Sequence, residues 1–424
     1  MQLDVLCRRW CAMAVLASAV AAVTGIAGTK QDDEVWVATW GASPVAPLPT
    51  NTTNTGFSNQ TVRLIVHTSL GGNEVRIRLS NAFGTQALVI GGAHVALRGS
   101  NAAIVPSSDR PLTFRGANSM TIPPGALLVS DSVKLDVPPL SDLAVSLYLP
   151  GPTGQATWHA GALSTNYVSI PGNFTGAADM PLDHTVASWF YLTDVEVKAP
   201  KDTAALITFG DSITDGTRST PDTNRRWPNF LAERLAQHHV KLSVVDEGIA
   251  GNRVLHDFVG PNALARFDRD VLTQPGVGYV TVLLGINDIG DISRVLQGGP
   301  GITPQAVSAE EIIAGHVQMI ARAHAQGLKI IGCTLTPFEG AAYFSAEGET
   351  KRQAVNKFIR TSGAYDAVID FDAAVRDPAH QERILARYDS GDHLHPNDAG
   401  YQAMAEVIDL SLFKSGKRRN NSQL

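Results

Sequence analysis

The sequence predicts an α/β chain in two textures: an all-β, sandwich-like domain over residues 31–200, followed by a doubly wound parallel sheet over residues 201–414. Three observations predict it. Short runs that alternate apolar and polar residues fill the first half, and Gly, Asn and Pro punctuate them. Nearly continuous apolar runs of strand length fill the second half, as strands do when both faces of a sheet are covered. Between those runs lie helix-period patterns of ten to twenty residues, so that strand and helix alternate.

Residues 1–27 read as an export signal. Arg8 and Arg9 precede an apolar, alanine-rich run from Met13 to Val23, and Gly25-Ile26-Ala27 supplies small residues for cleavage. The apolar run is shorter than the roughly 20 residues a membrane-spanning helix needs, so no stable membrane span is expected. The expected location is secreted or periplasmic. In the β-rich half, "VRLIVHTSL" and "EVRIRLSN" are the plainest strands, and the second puts Val75, Ile77 and Leu79 on one face and Arg76 and Arg78 on the other. The "LGGNE" between them reads as a hairpin turn, and "DLAVSLYLP" repeats the strand pattern. Trp36, Trp40, Trp158 and Trp189 all fall in this half and read chiefly as sandwich core, with one or two available to stack on a sugar ring.

After Lys201 come the apolar runs "ALITFG", "LSVVDEG", "YVTVLLG", "LKIIGCTLT" and "DAVIDF". "ALARFDRDVL" has a helical pattern. So does "SAEEIIAGHVQMIARAHAQG", which opens on a Ser308 to Glu311 capping box and stops at Gly327. The last residues, 415–424, form a basic tail that reads as solvated.

Composition narrows the function classes. A formal net charge of -6 and a pI near 6.0 provide no basic field for nucleic acid. Cys7 and Cys11 lie in the expected signal, which leaves Cys333 in an apolar run, where it reads as a small buried hydrophobe; a chain of this length stabilises itself by core burial instead of disulfides. The sequons at Asn51, Asn59, Asn173 and Asn420 matter only in a glycosylating host. His393 and His395 have no third partner at a metal-ligand spacing, so no metal is expected, and His316 and His324, inside a helical pattern, read as surface or satisfied core residues.

In a doubly wound sheet, ligands bind beyond the carboxyl ends of the strands. There the first run ends in Gly210-Asp211-Ser212, the second in "EGIAGN" and the third in "GIND", while "DSGDHLHPN" near the C-terminus places Asp392 three residues before His395. Singly, each is ordinary turn or cap chemistry. Together they hold a nucleophile, a base, an orienting acid and oxyanion donors, the set that serine hydrolysis requires at one place. "GDSITDG", the glycine of "GIAGN", "GIND" and "DHLHP", in this order, resemble the four blocks of the GDSL, or SGNH, hydrolases. "RWPNFLAERL", "GNRVL", "ALARFDRDVLTQPGV" and "VLLGINDIG" further resemble the secreted subgroup typified by xylan esterases.

The resemblance implies a flavodoxin-like sheet with Ser212 as nucleophile, His395 as general base and Asp392 as its partner. The oxyanion hole would comprise the backbone N–H groups of Ser212 and Gly251 and the side-chain amide of Asn287. The residue types suit these roles, since an amide donates without titrating and glycine lets a backbone N–H approach an anion. Ile213 stands where the family name has Leu, and Asp246 where related sequences often carry Asn; neither position holds a reacting group. Asp215 and Asp288 adjoin the blocks as candidates to stiffen them. No G-x-S-x-G is present, so the nucleophile elbow of α/β-hydrolases is not the device. The implied activity is hydrolysis of an acyl ester, foremost an acetyl group on a plant polysaccharide such as xylan, without cofactor; the partners would be an acylated carbohydrate or small ester, with no nucleic acid. A lipase or broad arylesterase is the nearest alternative, and a non-catalytic polysaccharide-binding protein the alternative from another class. The segment "GGPGITP" after the Asn287 block reads as a rim of the site.

Overall fold

A computed structural model describes residues 34–48, 51–290 and 305–413. The expected signal, the basic tail and the "GGPGITP" segment lie outside the described residues. Chain compactness groups Glu34 onward as one unit.

Five parallel strands form the second half: Ala204–Gly210, Leu242–Gly248, Val277–Leu283, Lys329–Cys333 and Ala367–Ile369. They follow the five apolar runs of the sequence. Their spatial order is second, first, third, fourth, fifth, the flavodoxin-like order in which the sheet reverses direction between its first and third strands. Helices Trp227–Gln237, Ala309–Ala325 and Ala346–Thr361 connect them. Between the second and third strands, "ALARFDRDVL" is helical as expected, but α only over Ala263–Phe267, widening to a π turn over Asp268–Leu272. The long helix opens on the Ser308 cap, with the Ser308 hydroxyl accepting from the Glu311 N–H and the Glu311 carboxylate accepting from the Ser308 N–H; Gly327, at φ 71°, follows its end. Phe209, Val245, Val280, Val282 and Ile330 fill the sheet interior, each fully buried. Among the described residues no helix is long and apolar enough to cross a membrane.

The first half is a sandwich of two antiparallel sheets. One joins Glu34–Gly41, Leu192–Pro200 and Gly72–Ser80 with the short strands Leu127–Val129 and Val133–Val137. The other has six strands, centred on Gln60–His67 and Asp142–Leu149, paired from His67 opposite Asp142 to Gln60 opposite Leu149. The "LGGNE" turn is therefore not a hairpin. It carries the chain from Gln60–His67 in one sheet to Gly72–Ser80 in the other. Alternation determines which face of a strand is apolar but not which strand lies beside it. Here both apolar faces, Leu64 and Val66 from one and Val75, Ile77 and Leu79 from the other, meet across the sandwich. Gly71 and Gly72 fit the crossing because a Cβ on either would overlap the backbone carbonyl of Val137 or Lys198. Trp40, Trp158 and Trp189 are core residues, while Trp36 lies under the guanidinium of Arg76.

The two halves meet through a shared buried surface. Val37, Ala38 and Ala199 belong to the core beneath the parallel sheet, and Ile249 belongs to that of the sandwich. Around them lies a polar layer: the Ser43 hydroxyl contacts Glu247 Oε2 at 2.5 Å and Asp270 Oδ2 at 2.9 Å, and Arg266 donates to both Ser43 Oγ and Asp270. Arg76 and Arg78, on the polar face of their strand, pair with Glu196, and Arg78 also with Asp194. A buried ion pair needs further hydrogen bonds to offset its desolvation, and this layer supplies them from both halves.

Candidate active site

Ser212 is placed by the end of the first parallel strand. Gly210 closes that strand, and the Asp211 carboxylate caps the one-turn helix Ser212–Asp215 by accepting from the Ile213 N–H at 3.0 Å. A Cβ on Gly210 would collide with the Thr214 side chain, so glycine lets the chain turn sharply enough to present Ser212 at the sheet edge. The remaining site residues come from the loop before the last helix and from the ends of the second and third strands.

The structure brings Ser212, His395 and Asp392 together. His395 Nε2 lies 2.8 Å from Ser212 Oγ, and His395 Nδ1 lies 2.8 Å from Asp392 Oδ2. Asp392 Oδ1 accepts from the N–H groups of Leu394 and His395, so the loop "DHLHP" closes around its own carboxylate. Burial alone would raise the Asp392 pKa, but the His395 side chain and these backbone donors outweigh it and hold the carboxyl well below the usual carboxylate range. Asp392 is thereby an anion against the ring nitrogen, which fixes the tautomer that leaves Nε2 able to accept a proton from Ser212.

Gly251 and Asn287 stand at the same edge. Gly251 takes φ 79°, a left-handed value glycine adopts freely, and among the described residues neither its N–H nor that of Ser212 is engaged in a hydrogen bond. Asn287 is 1% exposed. Its Nδ2 donates to the Asn252 carbonyl at 3.0 Å, and its Oδ1 accepts from the Tyr343 hydroxyl at 3.3 Å. These contacts set which end of the amide is the donor, and an NH2 group with one hydrogen so used has a second to give.

Asp215 and Asp288 do stiffen the blocks. Asp288 accepts from the N–H groups of Val254 at 2.7 Å and Leu255 at 3.1 Å, tying the third-strand block to the second. Its burial pushes its pKa up to about 6 against the pull of those donors. Asp215 accepts from the Ala250 N–H and also contacts His159 of the sandwich. The three histidines the sequence set apart from the triad have ordinary surroundings: His316 is a fully buried core residue between the Tyr365 hydroxyl and the Leu284 carbonyl, His324 pairs with Asp366 at the surface, and His393 pairs with Asp389. Cys333 is buried, and its burial raises the thiol pKa far out of the reactive range. Among the described residues no group of three or more metal-ligating side chains converges.

Several further residues, unmarked by any motif, hold the site in place. Arg266 donates to the carbonyls of Gly210 and Glu247 and to Asn252 Oδ1, so one guanidinium lies behind two strand ends and the second block, stacked on Phe209. Tyr343 and Arg218 reach Asn287 and Asp392 from loops. Arg218 lies only six residues after Ser212, so its nearness to the first block is visible in the sequence; Tyr343 is separated from Asn287 by more than fifty residues and carries no local signal.

Residues 208–403 match the GDSL-like lipase/acylhydrolase family model. No curated protein matches the chain. Among solved structures, a catalytic variant of an acetylxylan esterase from Geobacillus stearothermophilus is 24% identical, with a TM-score of 0.37, covering 50% of this chain and 94% of its own. An α/β-hydrolase enzyme from the metagenome of Lake Arreo, Spain, is 24% identical at a TM-score of 0.38, covering 50% and 94% respectively. A GDSL-like lipase from Bacteroides thetaiotaomicron is 19% identical at a TM-score of 0.36, covering 50% and 88%.

Proposed function

We propose that the GDSL-like lipase/acylhydrolase domain of residues 208–403 works as a serine ester hydrolase through Ser212, His395 and Asp392, and that its substrate is a short acyl ester, foremost an acetyl group on a plant polysaccharide such as xylan. The observation that carries the mechanism is the continuous chain Ser212 Oγ, His395 Nε2 and Nδ1, Asp392 Oδ2, each contact at 2.8 Å. Ser212 Oγ attacks the ester carbonyl carbon while His395 takes its proton. The tetrahedral oxygen carries the negative charge toward the N–H groups of Ser212 and Gly251 and the second N–H of Asn287. When the C–O bond breaks, His395 returns the proton to the leaving alcohol; water, activated by the same imidazole, then attacks the acyl-serine and releases the acid. Asp392 stabilises the imidazolium throughout. No step calls for a cofactor.

The acetyl-polysaccharide reading is supported by the "RWPNFLAERL", "GNRVL" and "VLLGINDIG" segments and by the charged and apolar start of the chain, which is consistent with export to where such polymers occur. A panel of acetylated polysaccharides and of soluble esters graded in acyl length tests it. Activity should be greatest on acetyl esters and include the polymer; a preference for long acyl chains would instead make the protein a lipase. Labelling by an organophosphonate on the Ser212 peptide separates either enzyme from a non-catalytic polysaccharide binder.

A further inference from the structure

We propose that His159, contributed by the β-sandwich, is a positioning residue for the oxyanion hole, acting through Asp215 on the loop that carries Gly251. The inference rests on the reading of Gly251 as an oxyanion donor.

The contacts run in one line. His159 Nε2 lies 3.0 Å from Asp215 Oδ1, and the other oxygen, Asp215 Oδ2, accepts from the Ala250 N–H at 3.1 Å. Ala250 immediately precedes Gly251. Asp215 itself ends the one-turn helix that Ser212 begins, so a single carboxylate spans from the nucleophile's helix to the oxyanion loop. A Cβ on Gly248 would overlap the Asp215 backbone, so helix and loop are in close contact here. Arg226 reinforces the junction by donating to the Asp215 carbonyl and to the Ala162 carbonyl of the sandwich.

The protonation of the pair follows from its partners. The Ser43 carbonyl oxygen lies 2.9 Å from His159 Nδ1 and can only accept, so Nδ1 carries a proton; the contact between Nε2 and the carboxylate needs a second. His159 and Asp215 are 5% and 4% exposed, so this proton is held away from solvent. Burial opposes a charged imidazole, but the Asp215 carboxylate and the Ser43 carbonyl outweigh it and raise the His159 pKa. A neutral imidazole beside an ionised carboxylate would leave two acceptors facing each other, and the carboxylate would be free to swing from the Ala250 N–H.

Substitution tests the line of contacts on a soluble acetyl ester. His159→Ala and Asp215→Ala should each lower kcat roughly 10- to 100-fold with little change in KM, because a misplaced donor is felt mainly in the transition state. The double variant should be no slower than the worse single one, since both remove the same support. Asp215→Asn should restore most of the kcat lost in Asp215→Ala: its amide oxygen can accept from Ala250, and its NH2 can donate to a neutral His159 that keeps its proton toward Ser43. Losses that multiply in the double variant, or an unimpaired His159→Ala, would overturn the proposal. If His159→Ala does not fold, as judged by its melting transition, the Asp215 pair decides, and equal kcat values for Asp215→Ala and Asp215→Asn overturn it. Organophosphonate labelling of the wild-type protein on a serine other than Ser212 would overturn the underlying reading instead.

Discussion

Asn287 shows how much of the site resides in single atoms. Its amide is fixed at both ends by Asn252 and Tyr343, so in the proposed mechanism it would enter the reaction already aimed, and its interaction would strengthen as the carbonyl oxygen becomes an anion. Asn287→Ala should lower kcat about 100- to 1000-fold with little change in KM, read by steady-state kinetics on a soluble acetyl ester. A near-normal kcat in the folded variant would assign the hole to backbone groups alone. For Ser212, the proposed nucleophile, Ser212→Ala should abolish turnover and leave the circular dichroism spectrum unchanged, and turnover at the wild-type rate would reject the acyl-enzyme.

At the scale of elements, the site depends on how closely strand ends approach the one-turn helix Ser212–Asp215. Gly248, the last residue of the second parallel strand, has no room for a methyl group, because the obstructing atoms are the backbone N and Cα of Asp215 and not a flexible side chain. Gly248→Ala should therefore destabilise the protein by about 1 to 3 kcal/mol, as overpacking does, and slow catalysis as well, since the displaced helix carries Ser212. Denaturant unfolding and kcat measured on the same sample check both, and a variant of normal stability and rate would show that the helix shifts freely. The capping box on Ala309–Ala325 lies far from this edge in role: Ser308→Ala should cost about 1 kcal/mol of stability and leave kcat unchanged.

Across the whole molecule, buried carboxylates set the response to pH. Burial raises Asp211 and Asp246 to about 7, Asp194 and Asp288 to about 6, and Glu247 well above its ordinary value. An acid whose folded pKa is raised binds more protons folded than unfolded between about pH 4 and that raised value, so stability falls as pH rises through this window. The fully buried His316, lowered to about 4, works in the opposite direction up to its ordinary pKa, but it is one group against five. The melting temperature should therefore be higher near pH 5 than near pH 7.5, and calorimetry showing the reverse would place these acids in their ionised form in the fold. Much of this charge lies where the two halves meet, and removing residues 31–200 would leave Glu247, Asp270 and Arg266 without Ser43 and uncover the core packed on Val37 and Ala199. Such a truncation should lose hydrolysis of a small soluble ester as completely as that of a polymer; preserved activity on the small ester alone would make the sandwich a substrate-positioning module.

Features that are local or periodic were legible in the amino-acid order. Five apolar runs marked the parallel strands, Ser308, Glu311 and Gly327 bounded the long helix, and the end of the first run together with "DHLHP" marked Ser212, Asp392 and His395, which meet, while the ends of the second and third runs carry Gly251 and Asn287. These were legible because strand and helix periods, caps and strand-end loops are properties of neighbouring residues, and because a doubly wound sheet directs its strand ends to one edge. Which strands pair in the sandwich emerged with the folded chain alone, since alternation identifies a face and not a neighbour; "LGGNE" thus crosses between sheets. It alone placed Arg266 behind the strand ends, Tyr343 on Asn287 and His159 on Asp215. Those contacts join residues far apart in the chain, and a single buried polar group gains its meaning only from the partner that folding brings to it.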